Sequence, residues 1–195
     1  MKTNEVLLKN NNGWLYFSEP HHIVTAHGLG DVVPSLHEIE RLVESNNWHA
    51  AGFLSYEAAP AFDSFLHVGQ SDGNPSRSAD KTQISGLPLL WFGLYPAPRL
   101  IALPEPVSPK ETLSWLPTTD RDTYNAAIEQ VKDHIAHGHT YQVNYTMRLQ
   151  AEFKANPWNF FLLLAQTQNN HAAYIDIGRY AVASASPELF FQLEG

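Results

Sequence analysis

The nine residues Gly138-His-Thr-Tyr-Gln-Val-Asn-Tyr-Thr146 follow a stretch of helical periodicity and predict the start of a strand. Side chains of a strand alternate between its two faces, so Gln142 and Asn144 share one face while Val143 lies on the other. A strand face that carries amide side chains has two interpretations. The commoner one is a sheet face exposed to water, and the other is a sheet face that lines a polar pocket. The stretch therefore places a strand and supplies the first candidate binding residues.

An amphipathic helix is predicted directly before this strand. Its apolar residues recur at helical spacing and form one stripe, made of Tyr124, Ile128, Val131 and Ile135. Thr119 or Asp120 can cap its first turn, and Gly138 can close its last turn. A helix between residues 119 and 138 that runs into a strand over 142–150 follows from these signals.

The remaining elements of this half are a helix, a hairpin and a strand. Pro157 suits the first turn of a helix, where its missing N–H costs nothing. Two short apolar runs on either side of Gly178 predict the hairpin. The run from Glu188 to Leu193 predicts a further strand.

The first half predicts a hairpin over residues 5–18, which turns at Asn12-Gly13, and a third strand over 23–26. A helix is expected to begin at Ser35, since Glu38 completes a capping box. Apolar runs at 48–56 and 87–95 predict buried strands, and the polar residues 68–86 between them predict a long exposed loop. The fold class is thus α+β, with antiparallel sheets and packed helices. A change of composition near Thr118 divides the chain into regions 1–117 and 118–195, which fits either two domains or a crossover within one.

Composition excludes several classes of function. The 195 residues are 44% hydrophobic and carry a net charge of −8 without a stripe of Lys and Arg, which argues against a nucleic-acid surface. There are no cysteines, so disulfides and thiolate metal sites are excluded. No segment reaches the roughly 18 apolar residues of a membrane helix, and no signal peptide is visible. We expect a soluble, cytoplasmic protein that binds neither nucleic acid nor membranes.

Two groups of residues could carry chemistry. His134, His137 and His139 are closely spaced, but no carboxylate or cysteine completes a metal site, and imidazoles also suit the C-terminal end of a helix. We therefore expect no metal site here. Ser186-Pro-Glu188 places a carboxylate where an apolar strand begins. Partial desolvation there would raise the pKa of the Glu188 carboxyl, so that it could hold a proton and act as a general acid. A solvated carboxylate at a strand end is the commoner alternative.

These motifs resemble the chorismate-utilising enzymes, which include component I of aminodeoxychorismate synthase and of anthranilate synthase. The resemblance rests on Tyr141-Gln-Val-Asn144 after an amphipathic helix and on Ala185-Ser-Pro-Glu-Leu-Phe190. It extends upstream to Gly52-Phe-Leu-Ser-Tyr-Glu-Ala-Ala59 and Leu87-Pro-Leu-Leu-Trp-Phe-Gly-Leu94. The Ser-Tyr-Glu-Ala-Ala form is more similar to the para-aminobenzoate branch.

The resemblance implies roles for four residues. Glu188 would be the general acid that assists departure of the chorismate C4 hydroxyl. Gln142 would bind substrate at the position where related isochorismate-type enzymes have a lysine that activates water. Tyr141 and Asn144 match residues that line an amino-acid (tryptophan) effector pocket in some members. The sequence departs from the family pattern at His139, where an acid is usual, and at Tyr145, where leucine is usual.

The implied function is amination of chorismate at C4 for para-aminobenzoate and folate biosynthesis. The resemblance implies ammonia from a glutamine amidotransferase component II, Mg²⁺ in the intact enzyme, and in some forms fusion to an aminodeoxychorismate lyase. It also implies that the nucleophilic lysine and the glutamates that hold Mg²⁺ lie beyond residue 195. Two alternatives are the anthranilate branch of the same scaffold and a non-catalytic remnant or binding module of the same fold.

Overall fold

The computed structural model describes residues 1–68, 86–107, 113–167 and 171–193. The loop predicted over 68–86 falls almost entirely outside them. The described residues divide into two compact units. The first contains 1–68, 86–107, 155–167 and 171–193, and the second contains 113–154. The boundary at residue 117 stays a prediction.

Antiparallel strands and helices make up both units, which confirms the predicted α+β class. In chain order the elements are β1 (Glu5–Asn10), β2 (Gly13–Phe17), β3 (His22–Ala26), α1 (Leu29–Asn46), β4 (His49–Leu54), a 3₁₀ helix (Tyr56–Ala61), β5 (Leu90–Tyr95), β6 (Arg99–Ile101), β7 (Leu116–Pro117), α2 (Arg121–Ala136), β8 (Leu149–Gln150), α3 (Pro157–Thr167), β9 (His171–Asp176) and β10 (Ala181–Ser186).

Two sheets face each other in the first unit. One has the strand order β10-β9-β1-β2-β6 and the other has the order β3-β5-β4. The buried side chains between them are Val6, Phe17, Ala51, Trp91, Tyr95 and Ile175. Because each sheet is apolar on both faces, each also needs a helix on its outer side.

The helices α1 and α3 supply these outer layers. Val32 and Ile39 of α1 pack on Leu90 and Leu94 of the three-stranded sheet. Phe161 of α3 is fully buried on the other face of the five-stranded sheet, in a cluster with Leu7, Trp14, Ala172 and Tyr174. The first unit is therefore layered helix, sheet, sheet, helix.

The predicted hairpin of residues 5–18 is confirmed by β1 and β2. Asn10 pairs with Gly13 across the turn, and Gly13 has a φ of 143°, which glycine adopts without strain. The hairpin about Gly178 is confirmed in the same way by β9 and β10, with a φ of 86° at that glycine.

The predicted start of α1 at Ser35 is wrong. The helix begins at Leu29 after an N-cap at Gly28, with Asp31 in its first turn. Val32 is fully buried and extends the apolar stripe one turn before Ser35, so packing on the sheet stabilises the added residues despite Pro34. The helix ends at Asn46, and Asn47 after it takes a left-handed conformation with a φ of 54°.

Two predicted strands are wrong over most of their length. Of residues 142–150 only Leu149–Gln150 form a strand, paired with Leu116–Pro117, and residues 188–193 form none. Alternating apolar residues favour an extended chain, but a strand also needs a neighbour for its N–H and C=O groups. Among the described residues, no strand pairs with 142–148 or with 188–193.

The second unit contains α2 and the short β7–β8 pair. Asp120 is the N-cap of α2, and its carboxylate accepts hydrogen bonds from the Thr123 backbone N–H and hydroxyl, both at 2.8 Å. These bonds, the backbone one first, lower the pKa of Asp120. Gly138 follows the helix with a φ of 73°. The helix predicted between 119 and 138 is thus confirmed.

Candidate functional site

Glu188 lies in a turn that directly follows the edge strand β10. The Ser186 hydroxyl donates a hydrogen bond of 2.7 Å to the Glu188 carbonyl oxygen and accepts one of 3.3 Å from the Glu188 N–H. These two bonds, with Pro187 between them, fix the backbone at the glutamate. The Ser-Pro-Glu sequence thus forms a hydrogen-bonded turn that positions the glutamate backbone at the end of the sheet.

The Glu188 side chain is exposed, so the expected partial desolvation by a following strand is not found. Phe190, at 94% exposure, and Phe191 follow it in an irregular segment. Among the residues that the structure describes, no hydrogen-bond or ion-pair partner contacts the carboxylate. The geometry leaves it available to a ligand.

The Gln142 and Asn144 side chains lie on the same side of the chain. The Gln142 amide Nε2–H donates to Asn144 Oδ1 at 3.3 Å, and the Thr140 hydroxyl donates to the Gln142 carbonyl oxygen at 3.0 Å. The predicted sharing of a face is therefore found, although the segment is not a strand. Tyr141 is 91% exposed.

Tyr145 contacts the helix that precedes this segment. Its ring meets that of Tyr124 edge to face, with 5.5 Å between the centroids. This contact ties the segment to the first turn of α2. The four predicted site residues thus fall into two groups: Gln142, Asn144 and Tyr141 in the second unit, and Glu188 in the first.

The histidine group lies at the C-terminal end of α2. His134 Nδ1 and His139 Nδ1 are 3.0 Å apart, as in a hydrogen bond between imidazoles, and His137 Nδ1 contacts the Asp133 carbonyl oxygen at 2.9 Å. Across residues 1–68, 86–107, 113–167 and 171–193, no three His, Asp or Glu side chains converge to hold a metal ion. These imidazole rings instead contact each other and a backbone carbonyl at the end of the helix.

One buried carboxylate went unrecognised in the sequence. Glu5 is 5% exposed and accepts hydrogen bonds from the Tyr16 hydroxyl at 2.5 Å and from the Lys2 N–H at 2.6 Å. The register of the β1–β2 hairpin could have placed it near Tyr16, because Leu7 pairs with Tyr16 and Glu5 shares the Leu7 face. Nothing in the sequence, however, indicates that this face is covered.

The Ser-Tyr-Glu-Ala-Ala motif lies at the 3₁₀ helix that follows β4. The Ser55 N–H donates to the Leu89 carbonyl oxygen at 2.8 Å, and Ala58 is fully buried. The Ser55 hydroxyl oxygen is buried and has no hydrogen-bond partner among the described residues. The motif therefore joins the 3₁₀ helix to the residue just before β5.

Comparison with known proteins assigns the scaffold. The family model described as chorismate binding enzyme matches residues 74–195. Aminodeoxychorismate synthase component 1 of Bacillus subtilis is 21% identical over a match that covers 85% of this chain and 43% of that protein. Aminodeoxychorismate synthase of Streptomyces griseus is 36% identical over 38% of this chain and 10% of its own length.

A relative named for its likeness to anthranilate synthase also matches. Anthranilate synthase component I-like protein of Synechocystis is 35% identical over 54% of this chain and 22% of its own length. The chain thus spans less than half the length of these relatives. No solved structure matches. In the described residues, no helix is both long and apolar enough to cross a bilayer. Since the family model covers most of the chain, the protein belongs to the chorismate-binding enzymes.

Proposed function

We propose that this chain is part of an aminodeoxychorismate synthase component 1, which replaces the C4 hydroxyl of chorismate by an amino group. The observation that carries the proposal is the Bacillus subtilis relative, because its similarity extends over 85% of this chain. The Ser-Tyr-Glu-Ala-Ala sequence supports the same branch. The cytoplasm is the proposed compartment.

Glu188 is the proposed general acid. With substrate bound, the carboxyl transfers a proton to the C4 hydroxyl oxygen as the C–O bond breaks and water leaves, while ammonia forms the C–N bond and the resulting ammonium group releases the proton that restores the acid. The turn made by Ser186 and Pro187 holds the glutamate backbone, and the carboxylate is not engaged by another described side chain. The Glu188 side chain can therefore approach a bound substrate without first breaking an internal hydrogen bond.

Gln142 is proposed to bind substrate. A primary amide donates and accepts hydrogen bonds but does not abstract a proton from water, so this position favours ammonia over water as the nucleophile. The 3.3 Å hydrogen bond to Asn144 orients the Gln142 amide. We retain Tyr141 and Asn144 as candidates for an amino-acid effector pocket.

The proposed co-reactants come from outside the described residues. Ammonia would come from a glutamine amidotransferase component II. The described residues offer no set of carboxylates that fits Mg²⁺, so its ligands are assigned to the part of the family fold that this chain does not span. No step is derived through the ion.

A substitution at Glu188 tests the proposal. The chain would be co-expressed with the complementing polypeptide, by which we mean the part of the Bacillus subtilis relative outside its match to this chain. Turnover of chorismate with ammonium and Mg²⁺ should fall by roughly 10²–10⁴-fold in Glu188→Gln. Glu44→Gln, at an exposed carboxylate of α1, is the matched control and should keep full turnover. Equal rates in the two variants would refute the role of Glu188.

Anthranilate synthesis is the second candidate, because the Synechocystis relative carries that name. Both reactions begin from chorismate and ammonia and differ in the product. Product identity therefore separates the two branches, whereas the effect of Glu188→Gln does not.

A further inference from the structure

Two of the three histidines at the end of α2 present ring nitrogens to each other. His134 Nδ1 and His139 Nδ1 are 3.0 Å apart, and the centroids of the two rings are 5.2 Å apart. Both residues belong to the second unit, so the geometry of the two rings is set within one compact unit. These two side chains, here called the imidazole pair, connect the helix to the residue that follows its closing turn.

Backbone hydrogen bonds hold the imidazole pair in place. The His139 N–H donates to the His134 carbonyl oxygen at 2.9 Å, and the Gly138 N–H donates to the Ile135 carbonyl oxygen at 3.0 Å. Gly138 has a φ of 73°, which reverses the chain at the end of the helix. Because these bonds fix the backbone on both sides of the turn, a ligand of the two rings does not have to order a flexible loop.

The distance between the two nitrogens is the one that a chelated metal ion requires. Two nitrogen ligands about 2.1 Å from one metal ion lie about 3.0 Å apart when their bonds are at a right angle, and about 3.4 Å apart at a tetrahedral angle. A hydrogen bond between the two rings has the same length, with the Nδ1–H of one ring as its donor. A shift of that hydrogen to Nε2 leaves a lone pair on each Nδ1, and neutral imidazole is the form that binds metals.

We propose that the imidazole pair binds a divalent transition metal ion of square or octahedral geometry, Ni²⁺ or Cu²⁺. The right-angle spacing favours these ions over tetrahedral Zn²⁺, and imidazole ligands favour them over Mg²⁺, which takes oxygen ligands. The described residues hold no group of three His, Asp or Glu ligands, so water would complete the coordination. A bound ion would link the His139 side chain to α2 and so restrain the segment that carries Gln142.

His137 lies beside the imidazole pair but is not a member of it. Its Nδ1 contacts the Asp133 carbonyl oxygen at 2.9 Å and the Asp133 carboxylate at 3.3 Å, while its ring stacks on that of His139 with 5.9 Å between the centroids. His137→Ala is therefore a matched control, because it removes an imidazole from the same helix end and leaves both proposed ligands in place. His27, an exposed histidine of the first unit, provides a second control.

The test titrates Ni²⁺ into the full chain, purified without a polyhistidine tag, by isothermal calorimetry. Since the chain has 10 histidines, the comparison among variants is the measurement that decides. His134→Ala and His139→Ala should each weaken Ni²⁺ binding by roughly tenfold or more, because loss of a residue that only orients a metal ligand already costs that much. His137→Ala and His27→Ala should bind Ni²⁺ as the wild type does. In the wild type, Ni²⁺ but not Mg²⁺ should also slow amide hydrogen exchange over 138–144.

Three results would overturn the proposal. The first is no binding of Ni²⁺ by the wild type at concentrations up to about 1 mM. The second is unchanged binding in His134→Ala or in His139→Ala. The third is an equal loss in His137→Ala, which would mean that the helix end binds the ion through its histidines in general and not through the imidazole pair. These measurements use no chorismate, so their failure would leave the proposed reaction untouched.

Discussion

The Tyr16 hydroxyl donates a 2.5 Å hydrogen bond to the carboxylate of Glu5, a residue that is nearly inaccessible to solvent on the neighbouring strand. Burial, then the hydrogen bond to Glu5 and the charge of that carboxylate, raise the pKa of Tyr16 to about 12. Tyr16 therefore stays protonated in the folded protein at pH values where an unfolded tyrosine, with a pKa near 10, has ionised.

This difference predicts a loss of stability at alkaline pH. The contribution of Tyr16 is fully present below about pH 10 and is lost as the pH rises toward 12. Tyr174, whose pKa is raised to about 12 mainly by burial, contributes in the same direction. Urea denaturation at a series of pH values should show the free energy of unfolding falling over this interval.

Tyr16→Phe separates two effects of the Tyr16 hydroxyl on stability: its hydrogen bond to Glu5 and its ionisation at alkaline pH. Near neutral pH it should lower the free energy of unfolding by about 1–3 kcal/mol, because the Glu5 carboxylate loses a hydrogen bond. Between pH 10 and 12 its stability should fall less steeply than that of the wild type. Parallel curves for the two proteins would mean that Tyr16 does not titrate differently in the folded and unfolded states.

Packing of α3 on the five-stranded sheet predicts a large effect at Phe161. Its ring is fully buried against Trp14 and Tyr174, with centroid distances of 5.6 and 5.3 Å. Phe161→Ala should cost about 3–5 kcal/mol in thermal or urea unfolding, through lost contacts and a cavity. Phe65→Ala removes the same atoms from a side chain that is 86% exposed, and should change stability little. Similar losses in both variants would argue against α3 as a core layer.

The pairing of β4 with β5 requires glycine at position 52. A Cβ atom there would lie 2.0 Å from the Trp91 carbonyl oxygen and 2.6 Å from the Phe92 Cα, both of which are backbone atoms that side-chain rotation cannot move. Gly52→Ala should therefore destabilise the protein by about 3 kcal/mol.

Gly30→Ala is the matched control for this substitution. A Cβ at that position, in the first turn of α1, meets nothing within 4 Å. Because alanine favours a helix over glycine, the variant should be as stable as the wild type or more so, by up to about 1 kcal/mol. A neutral Gly52→Ala would contradict the close approach of these two strands.

The sequence correctly predicted α2 and the two hairpins, whose ends are determined by residues close by in the chain. Asp120 and Gly138 bound α2, and Gly13 and Gly178 mark the two hairpins, because a cap or a positive φ is decided within a few residues. The start of α1 could not be predicted in this way. It depends on burial of Val32 against a sheet whose central strand, β5, is distant in sequence.

The candidate site was predictable in its residue types more than in its geometry. The alternation of Gln142 and Asn144 correctly placed both amides on one side of the chain. The predicted strands were wrong over 142–148 and 188–193, because a sequence pattern does not show whether a partner strand lies alongside. The roles of Gln142, Tyr141, Asn144 and Glu188 stay predictions.

The most direct measurement is identification of the product that the chain makes from chorismate with the complementing polypeptide. The complex would be incubated with chorismate, Mg²⁺ and isotopically labelled ammonium, then with an aminodeoxychorismate lyase, and analysed by mass spectrometry. We predict labelled para-aminobenzoate that appears only when the lyase is present. Labelled anthranilate would move the protein to the other branch of the family, and unchanged chorismate with an intact complex would contradict the proposed reaction.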